Sequence, residues 1–170
     1  DFTSLGGVAL RGLARWNGTA WSSLGSANGY FYCLANHPNG DLLVGGFHFG
    51  GGGLRQWNGT TWSTPPAGFA QEYVYAIGVL ANGDPVIGGY LATIGTQAQG
   101  RNVARGTASG WVSIVAGGVV YSITNLAPQP NGDVVTEDAD IHSWAAPFVM
   151  ASINTKNVHR TNALAKHPYG

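Results

Sequence analysis

Charged residues are scarce in this sequence: Asp, Glu, Lys and Arg make up 9% of 170 residues, against about 25% in an average globular protein. Eight basic and eight acidic residues leave a formal net charge of zero. Without a basic stripe to neutralise phosphates, we expect no nucleic-acid binding. No apolar run reaches the ~18 residues that a spanning helix needs, so we also predict no membrane span.

Cysteine is almost absent as well. Cys33 is the only one in the sequence, which excludes an internal disulfide and a cysteine-based metal cage. It lies in an apolar run at residues 30–34, where a buried and unreactive thiol is expected. The sequence also lacks an initiator Met and a signal peptide, and we expect a mature product or a fragment.

Glycine and aromatic residues are plentiful, with 27 Gly and 11% Phe, Trp and Tyr. Disordered chains are rich in charge and poor in aromatics, so this composition does not describe one. Short strands joined by tight turns fit it better. We therefore predict an all-β protein and a secreted or cell-surface location.

Three segments repeat one another, at residues 11–46, 53–89 and 101–135. An Asn-Gly-Asp triplet begins in each at Asn39, Asn82 and Asn131, which are 43 and 49 residues apart. Repeat-phase aromatics accompany the triplets: Trp21, Trp62 and Trp111, and Tyr32, Tyr75 and Tyr121. A period in the forties is typical of β-propeller blades and related arrays.

Each copy is predicted to form four antiparallel strands. In the first copy these are residues 13–16, 20–24, 30–35 and 41–47. Asn17-Gly18 and its counterpart Asn58-Gly59 predict type I′ hairpins, in which both central residues have φ > 0. The residues 1–7 resemble the end of the second copy, residues 89–95, so the sequence begins inside a blade.

A four-stranded sheet must bury its faces against neighbours, and a closed propeller needs at least about four blades. The fold class is therefore all-β, with antiparallel four-stranded blade repeats over residues 1–135. These would form a partial propeller, a ring completed by a second copy, or an open stack. Residues 136–170 are predicted to be a short non-repeat C-terminal extension, and an amphipathic pattern at residues 147–162 allows a helix there.

Two resemblances follow from these segments. The motif Ala-Arg-Trp-Asn-Gly-Thr at residues 14–19, with residues 21–22, 38–42 and 45–47, resembles bacterial extracellular proteins with tandem propeller-type repeats. That resemblance implies the fold and a surface location but no chemistry. Residues 145–164 resemble a short piece of saccharopine-dehydrogenase-like oxidoreductases. Those enzymes carry a dinucleotide fold, and no Gly-x-Gly-x-x-Gly follows a strand here, so no cofactor is carried over.

Two sets of carboxylates are candidate metal or catalytic residues. Asp41, Asp84 and Asp133 occupy one phase of the repeat, where they could share a cation such as calcium or simply close their own turns. Asp138, Asp140 and His142 alternate along the chain, so an extended backbone would place them on one face. Such a face suits calcium, zinc or acid–base catalysis.

Four repeat-phase tryptophans are the candidate ligand-binding residues: Trp16, Trp57, Trp21 and Trp62. Indole rings can stack on sugar faces or pack between blades. The leading functional hypothesis is an extracellular binding or scaffold module without catalytic activity. Its partners would be a carbohydrate, a protein or further copies of itself. The alternative is a metal-dependent hydrolase of lactones, esters or glycosides on a propeller scaffold.

Overall fold

The computed structural model of the chain describes residues 3–9, 12–25, 29–48, 52–64, 73–91, 93–94, 97–98, 102–114, 122–137, 141–145 and 149–152. These residues form strands, turns and bends without a helix. In this part of the chain, accordingly, no helix has the length and apolarity to cross a bilayer. The predicted all-β class with antiparallel four-stranded sheets is confirmed.

Two short hairpins open the chain: β1 (Ser4–Leu5) with β2 (Val8–Ala9), and β3 (Ala14–Trp16) with β4 (Trp21–Ser23). Three four-stranded meanders follow. Blade 1 contains β5 (Gly29–Asn36), β6 (Leu42–His48), β7 (Leu54–Trp57) and β8 (Trp62–Ser63). Blade 2 contains β9 (Tyr73–Val79), β10 (Pro85–Tyr90), β13 (Val103–Thr107) and β14 (Gly110–Ser113), with the small hairpin β11 (Thr93–Ile94) and β12 (Gln97–Ala98) inserted. Blade 3 contains β15 (Asn125–Pro128), β16 (Val134–Glu137), β17 (Ile141–Ala145) and β18 (Val149–Ser152).

The opening hairpins correspond to the outer half of a blade. Trp16 pairs with Trp21 across β3 and β4 as Trp57 pairs with Trp62 across β7 and β8. The β1–β2 hairpin has the same two-pair register as β11–β12, with two residues between the strands. In the described residues, the β1–β2 and β11–β12 hairpins are thus alike in register. We call β3 and β4 the half-blade.

Blades and sequence copies are out of phase, and here the predicted grouping of strands is wrong. Blade 1 takes β5 and β6 from the first copy and β7 and β8 from the second, because β6 pairs with β7 from Leu42↔Trp57 to Gly45↔Leu54. A periodic sequence can be divided into repeats from any starting residue, and each division contains the same four strands. The period alone therefore does not show where one sheet ends and the next begins. The short connection at residues 49–53 allows β6 and β7 to become neighbours.

The Asn-Gly turns occur where they were predicted, but the type I′ geometry is wrong. Gly18 has φ 102° and Gly59 has φ 97°, whereas Asn102 is the only non-glycine with positive φ among the described residues. Instead, the Asn17 side-chain oxygen accepts hydrogen bonds from the backbone N–H groups of Thr19 and Ala20 at 2.9 and 2.8 Å. The asparagine side chain thus stabilises a four-residue loop.

The core lies between neighbouring blades. Leu43 and Leu54 of blade 1 pack with Val74 and Ile87 of blade 2, and all four are at most 2% exposed. Burying each such side chain stabilises the fold by about 1.5–3 kcal/mol. A second buried cluster between blades 2 and 3 contains Val86, Val103, Ile123 and Val134. The sheets therefore cover one another's faces, as the repeat argument requires.

Cys33 lies at the first of these interfaces. Its thiol donates a long hydrogen bond to the carbonyl of Val74, with Sγ 3.6 Å from the oxygen. A Cβ added to Gly45 would stand 3.0 Å from Ile77 Cδ1 and would overlap Cys33 Sγ. Burial raises the pKa of the Cys33 thiol from 9.0 to about 12, although a hydrogen bond from the Gly45 backbone lowers it.

Blade 3 crosses the boundary predicted at residue 135. β17 pairs with β16 and β18 pairs with β17, so two strands within residues 136–170 complete a sheet. The helix allowed by the pattern at residues 147–162 is wrong for Val149–Ser152, which is a strand. A short apolar run fits either structure, and the free edge of β17 supplies backbone partners. Beyond residue 152 the predicted extension lies outside the described residues.

Candidate functional site

The repeat-phase aspartates each close their own turn. In every blade the Asn side chain of the triplet donates to the Asp carboxylate, at 2.9, 2.9 and 2.7 Å for Asp41, Asp84 and Asp133. The Asp backbone N–H donates in return to the Asn side-chain oxygen at 3.0–3.1 Å. These local hydrogen bonds account for the recurring triplet without a ligand.

Two of the aspartates also reach the third strand of their blade. Gln56 donates through Nε2 to Asp41 Oδ2 at 2.5 Å. Arg105 donates through Nε and Nη2 to Asp84 Oδ2 at 2.8 and 2.5 Å. The turn carboxylate therefore connects the first hairpin of a blade to the strand that follows. In the sequence, that hairpin and that strand belong to different copies of the repeat.

Most of the second predicted carboxylate set falls outside the described residues. Asp133 directly precedes β16, whereas Asp138 and Asp140 lie outside the residues that the structure describes. His142 is in β17, where its backbone pairs with Thr136 and Ser152. Among the residues that the structure describes, no three His, Cys, Asp or Glu side chains form a metal-binding group; a cation at these positions stays a prediction.

The predicted ligand-binding tryptophans form two cross-strand pairs. The ring centroids are 5.3 Å apart for Trp16–Trp21 and 5.1 Å apart for Trp57–Trp62, each with a 45° tilt. Trp62 Nε1 donates to the carbonyl of Leu24 at 2.5 Å. The second pair therefore packs against the half-blade, while Trp16 is 50% exposed. A role for these rings in ligand binding stays a prediction.

A larger aromatic surface lies where β5 and β6 of blade 1 contact β9 of blade 2. Phe47 stacks on Tyr73 at 4.8 Å and 16°, and Tyr73 stacks on Tyr75 at 6.1 Å and 24°. Tyr75 in turn lies 5.3 Å from Tyr32 of blade 1. We call these four residues the aromatic cluster. Tyr30, on the strand of Tyr32, is 47% exposed beside it.

Blades 1 and 2 each have a β-bulge at a tyrosine of the first strand. The pairing of β5 with β6 slips by one residue between Phe31 and Cys33, which makes Tyr32 the extra residue. The pairing of β9 with β10 slips at Gly88/Gly89, which makes Tyr75 the extra residue on β9. More and less buried side chains continue to alternate through both bulges. The two tyrosines therefore occupy equivalent positions of their blades, and their rings meet across the blade interface.

A Gly-Gly pair in each of the first two repeats permits this bulge. A Cβ on Gly46 would overlap the carbonyl oxygen of Tyr30, and a Cβ on Gly89 would overlap that of Tyr73. Blade 3 ends its second strand with Glu137 in this part of the repeat, so the Gly-Gly device belongs to blades 1 and 2. The sequence signal was present in the paired Tyr-x-Tyr and Gly-Gly motifs, but sequence reasoning favoured the tryptophans and missed the cluster.

The cluster offers ring faces and hydroxyl groups. Burial raises the pKa of Tyr75 above its usual value, and the nearby phenols of Tyr32 and Tyr73 raise it further. The Tyr75 hydroxyl is therefore protonated at neutral pH and can both donate and accept hydrogen bonds. The raised pKa disfavours the phenolate that a tyrosine base would need, so Tyr75 is suited to hydrogen bonding through its protonated hydroxyl.

Comparison with known proteins shows the fold. No protein-family model matches the chain, and no curated protein matches its sequence. The similar solved structures include a catalytically inactive virginiamycin B lyase from Staphylococcus aureus with quinupristin, which is 11% identical with a TM-score of 0.53. They also include a streptogramin B lyase, which is 13% identical with a TM-score of 0.55. Each alignment covers 81% of this chain and 46% or 45% of the lyase, so the chain spans under half of their length. The chain therefore has a β-propeller-type fold.

Proposed function

We propose that this chain is a binding module without catalytic activity, and that the aromatic cluster holds a carbohydrate. The observation that carries the proposal is the meeting of Tyr32 and Tyr75 across the blade interface, with ring centroids 5.3 Å apart and each ring at the bulge of its own blade. Sugar rings present apolar C–H faces edged by hydroxyls. Tyrosine combines a flat apolar body with a polar tip, which suits both features.

Exposure and charge support a neutral ligand of this kind. Tyr30 and Tyr32 are 47% and 48% exposed, so their surfaces are accessible beside the stacked rings. The chain has a formal net charge of zero, which provides no overall attraction for a strongly charged ligand. A secreted or cell-surface location belongs to the same proposal, supported by the low charge and the composition rich in glycine and aromatic residues.

A glycan array, followed by calorimetric titration of the best neutral oligosaccharide, tests the proposal. Because removing a central aromatic contact commonly costs a binding site about 2 kcal/mol or more, Tyr75→Ala and Tyr32→Ala should each weaken binding by about 10-fold or more. Tyr90→Ala is the matched control, since Tyr90 is 55% exposed and outside the cluster. Equal binding by all variants, or a loss only in Trp21→Ala, would remove the cluster from the site.

Association of copies is a second part of the proposal. Among the described residues β3 pairs only with β4, whereas its counterpart β7 also pairs with β6. The free edge of β3 supports completion of the ring by strands from another copy. The solution mass by light scattering decides this point: a dimer or larger species is expected, and a monomer at high concentration would contradict it.

The alternative is a metal-dependent hydrolase of a lactone, ester or glycoside. The similar structures are lyases, which supports a catalytic use of this fold but does not bear on hydrolysis. In this chain the hydrolase would use Asp138, Asp140, His142 and the repeat-phase aspartates, together with calcium or zinc. Turnover that a chelator abolishes and that Asp140→Ala removes would establish it. Glycan binding that survives Asp140→Ala, without any turnover, would favour the binding module.

A further inference from the structure

Blade 2 lacks one of the paired tryptophans of its neighbours. In the half-blade and in blade 1 the outer hairpin joins two indoles, Trp16↔Trp21 and Trp57↔Trp62. The same ladder position in blade 2 is Gly106↔Trp111. Trp111 remains, but the indole opposite it is replaced by a hydrogen atom.

A cavity of about 190 Å³ lies at this position, between blades 1 and 2. Gly106, Trp111 and Pro85 line it from blade 2, and Leu43, Leu54 and Gln56 line it from blade 1. Trp111 is 7% exposed, and both leucines are at most 2% exposed. His37, Asp84 and Thr107 also line the cavity. The lining therefore combines buried apolar side chains with polar ones, and the cavity lies beside the position where the repeat elsewhere places an indole.

One wall also offers a fixed hydrogen-bond acceptor. Gln56 donates through Nε2 to Asp41 Oδ2 at 2.5 Å, which sets the orientation of its amide. Its Oε1 has no hydrogen-bond partner within the described part of the chain. A ring N–H entering the cavity could use this oxygen, because a buried donor without a partner is costly.

We propose that this cavity binds a small planar aromatic molecule of indole size, whose ring packs on Trp111 and whose N–H donates to Gln56 Oε1. Apolar cavities of about 150 Å³ bind benzene, so the observed volume suits a slightly larger ring. For a ligand of this size we expect a dissociation constant on the order of 0.1–1 mM. The site is separate from the aromatic cluster and does not depend on carbohydrate binding.

Indole is titrated into the protein, and NMR spectra record the side-chain N–H signals of the tryptophans at each step. The Trp111 signal should shift in a saturable way. Gly106→Trp restores the paired indole and should weaken binding at least 10-fold, while Tyr75→Ala should leave it unchanged. Because a Cβ at Gly106 would lie 2.9 Å from Pro85 Cγ and 3.1 Å from Trp111 Cη2, the melting temperature of Gly106→Trp is measured first to establish that it folds.

A second variant removes only the polar contact and does not depend on Gly106→Trp. Gln56→Leu should weaken indole about 5-fold or more and leave 1-methylindole, which has no N–H, unaffected. N-acetyl-tryptophanamide separates the sources of the ring: binding as tight as indole indicates a tryptophan side chain, and weaker binding indicates a free small molecule. An unchanged Trp111 signal at 5 mM indole (roughly five times the upper affinity bound above), or equal losses for indole and 1-methylindole in Gln56→Leu, would overturn the proposal.

Discussion

Replacing Gly89 by Ala should destabilise the protein strongly, because the bulge leaves no room for a methyl group. A Cβ at this position would overlap the carbonyl oxygen of Tyr73 and lie 3.0 Å from Tyr73 C and Val74 Cα. All three obstacles are backbone atoms, so no side-chain rotation relieves the clash. The strands must move apart, which also threatens the hydrogen bond from Gly89 N–H to Asn102 O at 3.0 Å.

The expected cost is about 2–4 kcal/mol: roughly 1–3 kcal/mol for overpacking and about 1 kcal/mol for the hydrogen bond. For a chain of this size such a loss lowers the melting temperature by roughly 5–15 °C. Urea denaturation gives the free energy of unfolding directly.

Gly83→Ala is the matched control. Gly83 has φ +91° and nothing within 4 Å of an added Cβ, so only backbone strain of about 1 kcal/mol applies. If Gly89→Ala cost no more than Gly83→Ala, the bulge would not be the constraint that the Gly-Gly motif serves.

Two further predictions concern the ion pair and the thiol. Arg105→Ala should cost about 1 kcal/mol in urea denaturation, and less in 1 M salt, because the Arg105–Asp84 pair is about a quarter exposed, at 24% and 25%. Arg105→Gln should be nearly neutral, since Gln56 makes the same contact with Asp41; equal losses for both variants would refute this. With the Cys33 pKa raised from 9.0 to about 12, a disulfide reagent at pH 8 should label the folded protein at least about 100-fold more slowly than the unfolded chain. Only the unfolded thiol ionises between these pH values, so the free energy of unfolding should fall from pH 9 toward 12; fast labelling or a flat profile would contradict the burial.

The hairpins were predictable because their signals are local. Asn-Gly dipeptides with flanking apolar residues mark the turns wherever the chain folds back, and the strands β3 to β6 lie within one or two residues of their predicted bounds. Which hairpins share a sheet was not predictable. That choice depends on contacts such as Leu42↔Trp57, which join residues of different copies and which a periodic pattern leaves open.

The candidate site was missed for a related reason. Tyr32 and Tyr75 were visible as recurring residues, and Gly45-Gly46 and Gly88-Gly89 as a recurring motif. Strand alternation assigns Tyr32 to the exposed face of β5, but the residues that it meets there depend on the packing of β5 against β9, which the repeat pattern leaves open. The tryptophans were predicted to bind the ligand because their rings are larger. The Trp57–Trp62 pair instead contacts Leu24 and Gly25, directly after the half-blade.

The carbohydrate site is tested most directly by NMR: nuclear Overhauser cross-peaks and chemical shifts of the tyrosine rings are recorded while a neutral oligosaccharide is added to the protein. We expect cross-peaks between the rings of Tyr32 and Tyr75, whose centroids are 5.3 Å apart, and saturable shifts of both rings as the sugar binds. The absence of those cross-peaks, or shifts confined to the tryptophan rings, would contradict the proposed site.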